Sequence, residues 1–191
     1  MGQTDKPVFK NVHNKEYNTE DGIIWHSRAC AVVAHVWLIK NGEPFVLLGK
    51  RGNVTDHAGK WNIPCGYLDW NENLKEAMFR EVWEETGFDL SKYYGSTVFA
   101  KLDQPWLVFA EPSENRENVA MHMGIVIDLL GDKLPELSLD NMEDEESTGA
   151  YWMHYDSALQ IKESEWAFRH RTRLQQFRTV INDVIAKYCN K

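Results

Sequence analysis

Three glutamates, Glu81, Glu84 and Glu85, crowd together in a segment whose apolar residues recur at helical spacing. At roughly 100° per residue, Leu74, Ala77, Met78 and Val82 fall on one side and form an apolar stripe. Glu81 and Glu85 project along that same stripe, and Glu84 lies at its edge. An amphipathic helix facing a core should carry apolar residues there. The three carboxylates also sit in the last turns, where the helix dipole is negative, and they repel one another at i, i+3 and i+4 spacing. Arg80 can pair with Glu76 or Glu84, but one guanidinium does not neutralise three carboxylates. A bound cation would. Clustered hard oxygen ligands suit Mg²⁺ or Mn²⁺, which bind through a few carboxylates together with substrate phosphates. The competing reading is a plain solvated run of charge.

The elements that must hold these groups are legible on either side. Asn71 or Asn73 can cap a helix running to about Thr86, with Gly87 as its left-handed stop. Upstream, residues 28–39 read as a strand, Asn41-Gly42 as a type I′ turn, and residues 44–51 as the returning strand. Residues 52–60 read as a loop and 61–67 as an extended piece broken by Pro64. Further strands are expected at 96–102, 106–110, 119–130 and 150–155, with an acidic loop over 132–149 and a short helix from Asp156. Residues 163–188 read as one long closing helix, with Trp166, Leu174, Phe177, Ile181, Val184 and Ile185 on a helical period. Strands interleaved with helices predict an α/β fold with a mixed sheet covered on both faces. The expected division is an N-terminal extension, 1–25, packing on a single domain, 26–191.

Composition narrows the function without naming it. Eight Trp and 43% hydrophobic residues in 191 are those of a globular chain with a substantial core. No stretch approaches the roughly 18 uninterrupted apolar residues of a membrane helix, and residues 1–20 are polar without a signal-peptide core. Cytoplasmic residence is the expectation. Three cysteines without paired spacing argue against a disulfide framework or a zinc site. A net charge of −8 disfavours polymeric nucleic acid and anionic membranes as partners. It leaves an anionic small substrate open, because one divalent cation reverses the local field.

The segment GYLDWNENLKEAMFREVWEETGF, residues 66–88, places Gly66, Glu72, Arg80-Glu81, Val82, Glu84-Glu85, Gly87 and Phe88 as the Nudix box does. The chain therefore resembles the Nudix hydrolases, and Gly59-Lys60-Trp61 with Pro64 extends the likeness upstream. The usual PGG before the helix is Pro64-Cys65-Gly66 here, which puts a thiol beside the loop. The resemblance implies an α/β/α sandwich whose loop–helix–loop binds a divalent metal against a diphosphate. It implies that Glu81, Glu84, Glu85 and the Gly66 carbonyl are metal ligands, with Glu81 also a candidate base. Arg80 is placed in the catalytic set, Glu72 pairs with it to hold the loop, and Gly87 ends the helix. The implied activity is Mg²⁺- or Mn²⁺-dependent cleavage of a nucleoside diphosphate linked to a group X, giving a nucleoside monophosphate and phosphorylated X. ADP-ribose or another nucleotide sugar is slightly favoured as substrate.

In some members of that family the base lies in a later loop, which makes Glu145 and Glu146 candidates. Lys50, Arg51 and Trp61 are candidate substrate-binding residues, against strand capping for the cations and core packing for the indole. The seven His show no metal-ligand spacing. Arg169, His170, Arg171 and Arg173 read as a basic patch on the last helix. Phe79 and Trp83 on the far side of the helix need cover, from this chain or from a second copy in a homodimer. Two other functions stay open: a nucleotide-sensing Nudix module without turnover, and a Nudix-fold isoprenoid diphosphate isomerase using Cys65.

Overall fold

The computed structural model describes residues 14–53, 56–110, 118–129, 133–140 and 146–189. Strands β1 (Lys15–Thr19) and β2 (Gly22–His26) pair only with each other, and every one of their residues is exposed. Tyr17 and Ile24 face one side of the hairpin, and Ile23 and Trp25 the other.

β3 (Cys30–Lys40) and β4 (Glu43–Arg51) form the central hairpin. Asn41 and Gly42 both take positive φ, 53° and 78°, as the type I′ turn requires. After the short β5 (Trp61–Asn62) and β6 (Cys65–Tyr67) comes helix α1 (Leu74–Thr86). Strands β7 (Thr97–Lys101), β8 (Leu107–Phe109), β9 (Val119–Asp128) and β10 (Ser147–His154) complete a sheet ordered β10-β4-β3-β9-β7. The β3–β9 pair is parallel and the others are antiparallel, so the sheet is mixed.

Alternation along β3 builds two cores. Val32, Ala34, Val36 and Leu38 face α1 and meet Ala77, Met78 and Val82. Val33, Trp37 and Ile39 face the other way, against Tyr155, Leu174, Phe177 and Ile181. β3 is buried on both faces, which is why it reads as a continuous apolar run. The result is the expected sandwich of helix, sheet and helix.

The long closing helix is not formed. α2 (Tyr155–Gln160), α3 (His170–Gln176) and α4 (Arg178–Val184) are separate, and a π-helical turn, Ile185–Cys189, ends the described chain. Phe168 and Arg169 hold φ of 53° and 57°, a left-handed pair that no right-handed helix accommodates. Trp166 lies before this break in extended backbone and bridges to Trp61. The apolar period survives the break because α3 and α4 bury the same side against the sheet.

Candidate active site

Helix α1 begins with a capping box: Asn73 Oδ1 accepts from Lys75 N and Glu76 N at 3.1 Å, and Glu76 Oε2 accepts from Asn73 N at 2.8 Å. It ends at Gly87, φ 67°, whose N–H donates to the Trp83 carbonyl. A side chain at 87 would be doubly barred, by that φ and by overlap with the Ser138 backbone.

Between these ends the stripe holds Ala77, Met78 and Val82 in the core and carries two carboxylates inward with them. Glu81 and Glu85 are only 7% and 6% exposed, while Glu84 is half-buried. Glu81 lies directly over Gly66, where any Cβ would overlap its carboxylate. Glu85 accepts from Asn62 Nδ2 at 3.2 Å and from the Cys65 N–H at 3.3 Å. Burial pushes the Glu85 carboxyl up to about 8, with the Glu81 charge adding to it. Burial likewise lifts Glu81 to about 7; Arg80 opposes this, and the charges of Glu84 and Glu146 reinforce it.

Arg80 is the hub of the loop. It donates to both oxygens of Glu72, at 2.6 and 3.0 Å, and to the Tyr67 carbonyl at 2.9 Å. Its Nη1 also donates to Glu81 at 2.7 Å and Glu84 at 2.9 Å. Glu72 in turn accepts from the Asp69 N–H, and its hydrogen bond to Arg80 holds its carboxyl below the usual range. The pairing with Glu72 matches the expectation, whereas Glu76 serves the cap instead of Arg80. Among the described residues no three carboxylate, imidazole or thiol groups converge at ligand spacing; Arg80 engages Glu81 and Glu84, while Asn62 and Cys65 engage Glu85.

The other expected residues divide. Lys50 and Arg51 are consecutive on β4 and point to opposite faces. Lys50 lies over the Trp61 indole, 4.6 Å from the ring centroid, and Trp61 packs against Tyr151. Arg51 faces the glutamate side, where its charge partly offsets the upward shift of Glu85; its Nε donates to the Asp56 carbonyl at 3.0 Å. Glu146 is exposed, its carbonyl accepting from Gly52 N, and its charge reaches Glu81. Glu145 lies outside the described residues. Burial pushes the Cys65 thiol well above its ordinary range, with Glu85 adding to it; such a thiol is a poor nucleophile, and position 65 contributes its backbone N–H.

Sequence reading missed a buried histidine group. His35 on β3, His122 on β9 and His170 on α3 meet behind the sheet. His35 Nε2 and His122 Nδ1 are 2.9 Å apart, and His170 Nδ1 accepts from Ile63 N at 3.0 Å. Burial holds all three well below the usual imidazole range, His122 at about 3. The one available signal was parity, since His35 falls in the apolar alternation of β3. Of the basic patch, Arg173 is buried with its guanidinium 3.3 Å from the Phe109 centroid, and only Arg169 is exposed.

The site is thus a capped helix that buries two carboxylates over a glycine loop. Residues 30–177 match the NUDIX domain family, so the chain belongs to that family and is a phosphoanhydride hydrolase. Solved structures agree in fold. The NUDIX domain of Shewanella oneidensis NrtR, complexed with ADP ribose, is 16% identical and superposes at a TM-score of 0.59, over 81% of this chain and 89% of that one. A C. elegans Ap4A hydrolase binary complex gives 15% identity and 0.59, over 81% and 98%. The MutT protein of Methanosarcina mazei Go1 gives 25% identity and 0.51, over 80% and 94%. Among the described residues, no helix is long and apolar enough to cross a membrane.

Proposed function

We propose that this chain hydrolyses the diphosphate of a nucleoside diphosphate joined to a group X, with a divalent cation held by Glu81, Glu84, Glu85 and the Gly66 carbonyl. The observation that carries this is the burial of Glu81 and Glu85 on an apolar stripe, over a glycine that admits no side chain. Buried carboxylates without compensating cations are costly, and Arg80 compensates only in part. The donor set is all oxygen, which fits Mg²⁺ or Mn²⁺. A cation bound there would screen the phosphate charge and lower the pKa of a coordinated water.

The chain's own residues do the rest. Arg80 fixes Glu72, Glu81 and Glu84 in one geometry and ties them to the Tyr67 carbonyl of the loop. Asn62 and Cys65 aim Glu85 from the sheet side. In the reaction the water oxygen forms a new bond to phosphorus, the anhydride P–O bond breaks, and a carboxylate takes the water proton. Glu81 and Glu146 are the candidates for that proton. Arg51 supplies positive charge on the same side. The products are a nucleoside monophosphate and phosphorylated X. ADP-ribose is a reasonable first substrate, supported by the ADP ribose complex of the Shewanella domain.

The test is incubation with a panel of nucleoside diphosphate derivatives, including ADP-ribose, and Mg²⁺ or Mn²⁺, with products separated by chromatography. Hydrolysis of a member to the monophosphate is expected. Failure with every member and both metals would overturn the proposal in favour of a binding module.

A further inference from the structure

Three non-glycine residues outside the box hold left-handed backbone within one small area: His57 at φ 62°, Phe168 at 53° and Arg169 at 57°. Each such residue costs free energy, and such outliers persist where surrounding contacts enforce them, often at functional sites. Here two loops enforce them. The segment around Phe168 is tied down by Ala167 N donating to the Trp61 carbonyl at 2.9 Å and by Ile63 N donating to His170. The loop after β4 is anchored by the bonds from Arg51 to Asp56.

The two loops meet at one ring. The His57 imidazole stands edge-on to the Phe168 ring at 4.7 Å, the Arg51 guanidinium lies 5.0 Å from its centroid, and His170 tilts against it at 5.4 Å. Yet Phe168 remains 40% exposed. The fold thus strains two consecutive residues and leaves a large apolar ring open to water, beside the cation that faces the glutamates. Packing does not account for that, since Trp166 and Ala167 next to it already fill the core. A ligand with a flat π-face does: it would cover the exposed part of the ring, with Arg51 adjacent to meet negative charge.

We infer that Phe168 is a specificity-determining residue, a stacking platform for the base of the nucleoside diphosphate substrate. His57 and His170 pack against the ring and the Arg51 guanidinium lies over it, so the base takes the part of the ring they leave exposed, with Arg51 toward the diphosphate. This rests on the reading of the site as a nucleoside diphosphate hydrolase, and it adds where the nucleoside end lies.

The experiment compares native protein with Phe168→Gly, Phe168→Leu and Phe168→Trp, in Mg²⁺, on ADP-ribose and on a base-free dialkyl diphosphate. Loss of the ring should raise KM for ADP-ribose about 10- to 100-fold in the Gly and Leu variants, as expected for one base stack, with kcat changed far less. The rise should exceed that on the base-free compound at least tenfold, and Phe168→Trp should restore it. Glycine also relieves the left-handed strain, so Phe168→Gly should keep or raise the thermal midpoint while losing affinity, whereas a merely structural ring would lose both together. An unchanged KM in Phe168→Gly, or equal losses on both compounds, would overturn the assignment. Binding of 1,N6-etheno-ADP, followed by fluorescence in EDTA and in Mg²⁺, separates the two readings. If native protein binds it but hydrolyses nothing, the enzymatic reading fails and the same variants still decide the platform by affinity. If it does not bind, the platform fails.

Discussion

Replacing Glu85 with Gln should make the metal-free protein more stable while abolishing its response to Mg²⁺. The Glu85 carboxyl lies at about 8 in the fold, against roughly 4.3 for an unperturbed Glu. Between those values the folded state keeps a proton that the unfolded chain has released. Unfolding then releases a proton, and stability falls as pH rises through the window, by about 1.4 kcal/mol per pH unit. Allowing for coupling to Glu81, the penalty at pH 8 is on the order of 2–4 kcal/mol. Gln removes it. The amide can still accept from the Cys65 N–H, and rotating the Asn62 amide lets its Oδ1, which has no partner, accept from the new NH₂. That rotation gives up the bond from Asn62 Nδ2 to the Ile63 carbonyl, worth about 1 kcal/mol. The net expectation is a gain of about 1–3 kcal/mol for Glu85→Gln in EDTA at pH 8, shrinking toward pH 5. Urea denaturation at several pH values measures it. In saturating Mg²⁺ the variant's lead should shrink by about 2.7 kcal/mol at a hundredfold excess over Kd, because only native protein gains from ligation. A variant no more stable than native protein at pH 8 in EDTA, or a gain independent of pH, would refute the reasoning.

Gly66→Ala should drive a methyl into the Glu81 carboxylate, raising the Mg²⁺ concentration for half-maximal rate at least tenfold and costing about 1–3 kcal/mol by overpacking; metal titration and urea curves check this together. Arg80→Lys should lose the two-pronged grip on Glu72 and the bridge to Glu84, reducing stability by roughly 1–3 kcal/mol and kcat by at least ~10-fold, read from denaturation and steady-state rates. The buried neutral imidazoles of His35, His122 and His170 give the opposite pH trend to the carboxyls. Their folded pKa values lie below the unfolded value of about 6.5, so in saturating Mg²⁺ stability is full above that pH and falls on acidification by up to ~1.4 kcal/mol per unit per group. His122→Gln should flatten that slope by about a third, as urea midpoints between pH 6.5 and 5 would show.

Local chemistry made the central elements readable. Asn73, Gly87 and Asn41-Gly42 act on their immediate backbone, so the helix ends and the hairpin turn follow from adjacent residues. The inward glutamates were legible because they break a period, and the period is set by the same helix. What failed was non-local. The chain at Phe168 and Arg169 turns left-handed with no glycine to announce it, because contacts from Trp61, Arg51 and His57 impose the turn. The apolar spacing on either side therefore reads as one helix. His35, His122 and His170 come from three elements far apart in sequence, and no pattern within one segment marks them as neighbours. The separation of Lys50 from Arg51 is strand parity, available in principle once the strand is assigned.

One detail of the Glu85 contact bears on which sequences this site tolerates. The donor at position 65 is a main-chain N–H, so any residue that keeps this N–H and fits beside the core against which Cys65 packs can make the contact. The thiol at 65, where the Nudix box usually has glycine, therefore leaves the Glu85 contact intact. The one residue excluded on these grounds is proline, which has no N–H to give. Two adjacent prolines at 64 and 65 should inactivate the enzyme even though proline at 64 is native, and substitution of Cys65 by Ala should pass unnoticed.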